Sequence, residues 1–292
     1  MKTHLPRLLV AVATLALTSA TLQAQAPADI SKKKFKEPLV EFGMMTWPEV
    51  REAFKAGKTT ALVYTGGTEQ RGPQNVNGGH TLMGQAIAKT IALKLGNALF
   101  LPVLPYTPNG ASAAMPGTIG LTPEILSAVL ERISEEAIKT GFKNVVLMGD
   151  HGGGQGNGPN NVYASVAKKL DDKYGSQGIH VFYCDRVYAP AQDDFNKMVE
   201  AKGIQPSSHA GLPDTSEMLY LGNGEWSRED LYPIAFSPPR PPAGTPRDPN
   251  AAPGNGIQGD ARPSTKAWGK IQFDMKIDYA VKQIQGFIPP SK

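Results

Sequence analysis

Between residues 59 and 184 the chain alternates unbroken apolar runs with stretches whose apolar residues return every three or four positions. TTALVYTGG (59–67) is rich in β-formers and ends in glycines, which predicts a strand running into a turn. From His80, Leu82, Ile87, Ile91 and Leu95 recur at helical spacing. ALFLPVLPY (98–106) predicts the next strand, stopped by its prolines. A helix is then expected from an N-capping Thr122, with Pro123 in its first position, to a closing Gly141. Its apolar stripe is Ile125, Leu126, Val129, Leu130, Ile133 and Ala137. NVVLMG (144–149) is apolar throughout, as a strand covered on both faces would be. A helix near Val162 to Tyr174 and a strand IHVFYC (179–184) complete the alternation.

Strands separated by helices predict an α/β fold: three α/β/α layers around a mostly parallel central sheet. In such folds the ligand crevice lies at the carboxyl ends of the strands. Two glycine-rich loops that carry charged residues, 66–80 and 149–158, follow strands and so belong there, which predicts one site built from two strand ends. The last third differs. SPPRPPAGTPRDPNAAPGNG (237–256) has too much proline and glycine for regular structure, and it reads equally as a loop over the site, a subunit contact or a linker. A final amphipathic segment, 267–288, follows it.

Composition narrows the class. With 40% apolar and 19% charged residues among 292, the chain can bury a substantial core. Its net charge of +4 is spread along the chain, and the one basic cluster, Lys32, Lys33, Lys34 and Lys36, reads as a solvated tail; no stripe for nucleic acid is present. Met1 to Ala26 has the form of a secretory signal: Lys2 and Arg7, then LLVAVATLAL, then small residues leading to Ala24-Gln25-Ala26. Cleavage after Ala20, Ala24 or Ala26 fits the pattern, and the apolar run is shorter than the roughly 20 residues a membrane span needs. Removal of the segment takes the charge to +2. The expected organisation is a signal peptide (1–26), an N-terminal extension (27–44) and a single domain (45–292), exported to the periplasm or secreted without a membrane span. Cys184 is the only cysteine, so no intrachain disulfide forms; after the apolar IHVFY it reads as structural.

The first loop, GGTEQRGPQNVNGGH, carries Glu69, Arg71 and His80, and the second carries Asp150 and His151. Two imidazoles and a carboxylate, Glu69, His80 and His151, suit a zinc ion with a position left for water, and manganese or iron(II) takes the same donors. The competing reading pairs Glu69 with Arg71 and uses the histidines as helix caps. SHAGLPDTSEMLYLG (208–222) adds His209 and Asp214, the latter equally suited to capping a helix. His180, within a strand, reads as structural.

The stretches GGTEQRG, GDHGGGQGN and HAGLPDTS resemble, in order, the G-[ST]-T-E-Q-H-G, N-G-H-G-G-N and H-A-G-x-x-E-T-S motifs of the creatininase (creatinine amidohydrolase) family. MTWPEV, PGTIGL and GDARPSTKAWGK are similar to further landmarks, so the resemblance runs from about Met45 to the C-terminus. It implies amide hydrolysis at a two-metal site and a homo-oligomer, often a hexamer. The pattern also departs. Glu69 and His151 match ligands of the first metal, but His80 stands where an Asp would bridge two metals, Arg71 where a second-metal histidine would be, and Asp214 where a later Glu would be.

Arginine cannot give up its proton to become a ligand, yet it can put a fixed positive charge near a lost metal's place. This predicts one metal per chain on Glu69, His80 and His151, with Arg71 and Asp214 in a bidentate pair standing in for the second. The expected chemistry is hydrolysis of a C–N bond in a small amide, cyclic amides included. Arg71 would stabilise an oxyanion or a substrate carboxylate, His209 would shuttle a proton, and Asp150 would orient water or a ligand imidazole. Two rivals are a catalytically inactive periplasmic binder of small anions and an iron(II) site for oxygen chemistry.

Overall fold

The computed structural model describes residues 39–110, 112–237 and 254–288. The predicted secretory signal, most of the predicted N-terminal extension and all but the ends of the 237–256 segment therefore lie outside the described residues. Four strands form one parallel sheet: β1 (Thr60–Thr65), β2 (Ala98–Phe100), β3 (Asn144–Gly149) and β4 (His180–Tyr183), in the order β2-β1-β3-β4. The helices are α1 (Trp47–Lys55), α2 (Gly79–Leu95), α3 (Pro123–Thr140), α4 (Val162–Tyr174), α5 (Ala189–Glu200), α6 (Leu212–Gly222) and α7 (Lys266–Phe287).

Alternation along the central strands divides the core. Leu62, Tyr64, Val146 and Met148 pack with Met83, Ile87 and Ile91 of α2, Met218 of α6 and Phe273, Ile277 and Ile284 of α7. Ala61, Val63, Val145 and Leu147 turn to the other face, against Leu126 and Leu130 of α3, Val166 and Leu170 of α4, and Ala53 of α1. Both faces are covered, so β1 and β3 are apolar at nearly every position.

The predicted α3 begins as expected, with the Thr122 hydroxyl accepting from the Ile125 amide, and ends at Gly141. Its stripe is narrower than the periodicity suggests: Ile125 is 50% exposed, and Ser134 is buried by donating to the Leu130 carbonyl. The run 98–106 is a strand for three residues only. Pro102 and Pro105 have no N–H to give a ladder, and the chain touches β1 again through one bridge between Thr65 and Leu104. The pattern did not isolate α1 or α5, although α1 carries a capping box between Thr46 and Glu49. None of the described helices is long and apolar enough to cross a membrane.

Cys184 is fully buried, and burial pushes its thiol up to about 12. The native protein is therefore expected to leave an aromatic disulfide reagent unreacted at pH 8 over minutes, and to titrate one thiol after denaturation. Rapid labelling of the native protein would contradict this packing.

Candidate metal centre

The sheet order places the site. From β1 the chain passes outward to β2, then returns to β3 on β1's other side, so the connections part between β1 and β3, where open α/β sheets leave a crevice. The two strands end together, Thr65 opposite Gly149, and the loops that follow meet there. The predicted joining of the two loops into one site is what the fold delivers.

Glu69 Oε1 is the centre of the arrangement. It lies 3.3 Å from His80 Nε2, 3.2 Å from His151 Nε2, 3.4 Å from His209 Nδ1 and 3.6 Å from an Arg71 guanidinium nitrogen. Oε2 accepts from the Ser112 hydroxyl at 2.7 Å, which fixes the carboxylate's rotation. Burial would push Glu69's carboxyl up, but the three imidazoles outweigh it and hold the group well below the ordinary carboxylate range. The His80 and His151 rings stand nearly perpendicular, and ligand atoms of Glu69, His80 and His151 all lie within 4.8 Å of one another.

These residues fit a divalent ion. Two ligands each about 2.0–2.1 Å from a tetrahedral zinc stand roughly 3.3 Å apart. The Glu69–His80 and Glu69–His151 separations of 3.3 and 3.2 Å match that spacing. Burial, the largest influence, keeps His151 neutral to lower pH than usual, as a ligand must be. Its Nδ1 lies 2.9 Å from the Thr107 hydroxyl and 2.9 Å from the Gly153 amide. The Gly153 amide donates to Nδ1, which puts the ring proton on Nε2, facing Glu69. Ligation through Nε2 would shift it to Nδ1, toward Thr107, whose hydroxyl has the Gly66 carbonyl within reach at 3.3 Å, and would break the Gly153 contact. Glycine is needed at position 153, where a Cβ would stand 1.9 Å from the Pro108 carbonyl oxygen and 2.8 Å from the His151 ring.

His80 has a different support. Asp150 Oδ1 stands 3.5 Å from its Nδ1, and neither atom has a hydrogen-bond partner. Burial and the Arg71 charge push the His80 imidazole down, but Asp150 and Glu69 prevail and raise it. Behind Asp150, the Lys276 ammonium of α7 is 3.3 Å from Oδ2 and 2.5 Å from Glu217 Oε2 of α6. All three are buried. Burial works against the charges on Lys276 and Asp150, yet each keeps its charge through the others nearby; Glu217, raised by burial, holds a proton more readily than an ordinary glutamate. Sequence pattern alone pointed to neither Lys276 nor Glu217. The available signal was a lysine on α7's apolar stripe, between Phe273 and Ala280.

Arg71 is fully buried and does not line the cavity. It stands behind Glu69 and Asp214, so the expected contact with an oxyanion or substrate carboxylate is not available to it. The expected bidentate pair is also a single contact, 2.7 Å to Asp214 Oδ2. That oxygen is shared, since it accepts from the Ala210 amide at 2.8 Å. Asp214 is in the first turn of α6 and reaches back over its start; it is not the N-cap, which is Gly211. Ala210 itself has φ 57°, and its carbonyl accepts from Gln74 and Thr215, which hold the turn.

His209 lines the cavity with both nitrogens engaged. Gln70 accepts the Gly72 amide on its Oε1, which turns its NH₂ toward His209 Nε2 at 3.1 Å. Nε2 is then the acceptor, and Nδ1 carries the proton that faces Glu69. Asp150 is sealed from the cavity at 1% exposure, so it reaches a ligand imidazole, that of His80, and no water there. His180 pairs with Asp171 at 3.0 Å on the surface, a structural role.

The cavity, about 380 Å³, is lined by Glu69, His80, His151, His209 and Asp214 together with Asn109, Ser112, Tyr188, Gln192, Ser208 and Gln258. Gln258 comes from the segment after the undescribed residues, docked through its amide to the His209 carbonyl.

Residues 43–284 match the family model described as Creatininase: Creatinine amidohydrolase. The creatinine amidohydrolase of Pseudomonas putida is 26% identical over 274 residues, 85% of this chain and 97% of that protein. A 3-dehydro-scyllo-inosose hydrolase of Thermotoga maritima is 30% identical over 117 residues, 39% of this chain and 36% of that protein. The solved structure described as Creatininase Mn superposes with a TM-score of 0.69 at 24% identity, over 87% of this chain and all of that one.

Proposed function

This chain belongs to the creatininase family, and on that premise we propose that it hydrolyses C–N amide bonds in small, cyclic amides with one divalent ion held by Glu69, His80 and His151. The observation that carries the reading is the convergence of both Nε2 atoms on Glu69 Oε1 at 3.2–3.3 Å in the wall of a cavity. Zinc suits the set, and manganese or iron(II) accepts the same donors. When bound, such an ion supplies Lewis-acid chemistry, polarising a carbonyl and lowering the pKa of water toward about 7.

The chain's own groups supply the rest. Ser112 and His209 fix the two oxygens of Glu69, and Thr107 and the Gly153 amide hold the His151 ring at Nδ1. Hydrolysis forms a C–O bond from water, breaks the C–N bond and moves a proton to the leaving nitrogen. Beyond the three ligands, the titratable groups that line the cavity are His209, Asp214 and Tyr188, and burial pushes the Tyr188 hydroxyl up to about 12, which keeps its proton in place. Asp214, kept ionised by Arg71 against the effect of burial, takes the proton from water. His209 Nε2, unprotonated in the resting site, relays that proton to the leaving nitrogen once it parts from Gln70. Arg71 acts from behind, neutralising Asp214 and Glu69. A small-anion binder working through Arg71 has no geometric support, because Arg71 does not reach the cavity. Export, to the periplasm or as a secreted protein, and assembly as a homo-oligomer remain parts of this proposal that rest on the sequence and the family.

Protein purified without chelator or added metal is expected to carry about one ion per chain by mass spectrometry, lost in His80→Ala, and to open small cyclic amides in a substrate screen. Folded protein that takes up no zinc, manganese or iron would end the reading. Metal affinity should also rise with pH. The raised His80 proton must leave Nε2, so affinity increases about tenfold per pH unit below that pKa and flattens above it. In the metal-free protein the sign reverses: the His80 contribution to stability is complete below its ordinary 6.5 and fades as pH climbs through the folded value.

A further inference from the structure

We propose that the buried Lys276–Asp150 ion pair is a positioning device for the metal centre, holding His80 so that its Nε2 faces Glu69. The inference rests on the metal-binding reading above. It starts from strand geometry: the alternation that turns Val146 and Met148 toward α2, α6 and α7 carries Asp150, just past the end of β3, to the same side. There it meets Lys276, 3% exposed on the face of α7 that also buries Phe273, Ile277 and Ala280.

Contacts then run in one line, Lys276 Nζ to Asp150 Oδ2 at 3.3 Å, Asp150 Oδ1 to His80 Nδ1 at 3.5 Å, and His80 Nε2 to Glu69 Oε1 at 3.3 Å. His80 Nδ1 and Asp150 Oδ1 are both buried without a hydrogen-bond partner, and they face each other at 3.5 Å. A carboxylate behind a ligating imidazole fixes its tautomer and ring plane. Asp150 can do this only as an anion, and in a fully buried place an anion needs a cation beside it. Lys276 is that cation. Glu217, which also touches Lys276, does not reach His80 and serves to seat the ammonium.

A lysine that merely fastens α7 to the core would affect folding and leave metal affinity alone, so the test reads both. Zinc and manganese affinities are measured by competition with a chromogenic chelator, alongside thermal unfolding of metal-free protein. Glu217→Gln, whose amide oxygen still accepts from the Lys276 ammonium, is the background and should lose far less affinity than the double variant. Lys276→Met combined with Glu217→Gln, which avoids leaving a second carboxylate without its lysine, should lose about 10–100-fold, the usual worth of groups that orient a ligand. Native affinity in the folded double variant would overturn the proposal. If that variant fails to fold, Asp150→Asn keeps the side chain's shape and decides in the same way: a similar loss supports the device, and unchanged affinity removes it. Failure of the metal reading itself is separate, since then the unaltered protein would bind neither ion.

Discussion

Glu69→Gln is expected to lower metal affinity by more than about 100-fold, since even groups that only orient ligands are worth roughly 10–100-fold. No other side chain touches as much of the site. Oε1 is shared by His80, His151, His209 and Arg71, while Oε2 holds Ser112. The amide keeps the shape but loses the charge, and its NH₂ would face groups that are themselves donors. Catalysis should fall with the metal, and excess zinc should not restore it. The acid limb of stability should change too. A carboxyl held far below 4.5 by its neighbours contributes stability that is present above that pH and is lost as pH falls. The difference in stability between native protein and variant should therefore narrow in acid. His180→Ala, which removes the surface pair with Asp171 and a ring contact with Phe182, both away from the site, serves as the control and should retain full metal affinity. Full metal loading of Glu69→Gln, measured on protein dialysed against chelator and reloaded, would remove Glu69 from the centre.

Arg71→Ala is expected to give the largest loss of stability. It removes a wholly buried cation and leaves Asp214 and Glu69 without it. Breaking a buried pair in this way costs about 3–5 kcal/mol, roughly 10 °C in Tm for a domain of this size. Burial pushes the Arg71 guanidinium's pKa down, but Asp214, Glu69 and Asp150 together raise it above its ordinary value. Because the void left by arginine is bordered by those carboxylates, excess zinc or manganese should restore part of the loss and raise the ratio of metal to chain above that of the native protein. Arg71→Ala combined with Asp214→Asn should be less destabilised than the two single changes together, because the second change removes a charge left unpaired by the first. Calorimetry with and without added metal reads all three. A stable Arg71→Ala protein with unchanged stoichiometry would show that the guanidinium does not stand in for a cation.

The legible parts of this protein were those set by local pattern. Continuous apolar runs marked β1 and β3, and Thr122, Pro123 and Gly141 bounded α3 within a residue. The two charged glycine-rich loops were placeable because each directly follows a strand, and parallel strands bring such loops to one edge. Glu69, His80 and His151 were recognisable as a set of donors from residue type and loop position. Direction was not legible. Whether Arg71 faces the cavity or lies behind two carboxylates depends on α2 packing Gly79 against its side chain, where a Cβ would stand 2.9 Å away. Asp150 sits beside His151 in sequence but supports His80, because neighbouring residues at a strand end point to opposite sides. Lys276 is 126 residues from its partner Asp150 and looked like one polar position in an amphipathic helix. Sequence by itself determined the central alternation of strands and helices, the edge of the sheet that holds the site and the donors that meet there. Tertiary structure alone decided which charges back those donors, because a buried ion's partner is set by the packing of separate elements, which no local periodicity encodes.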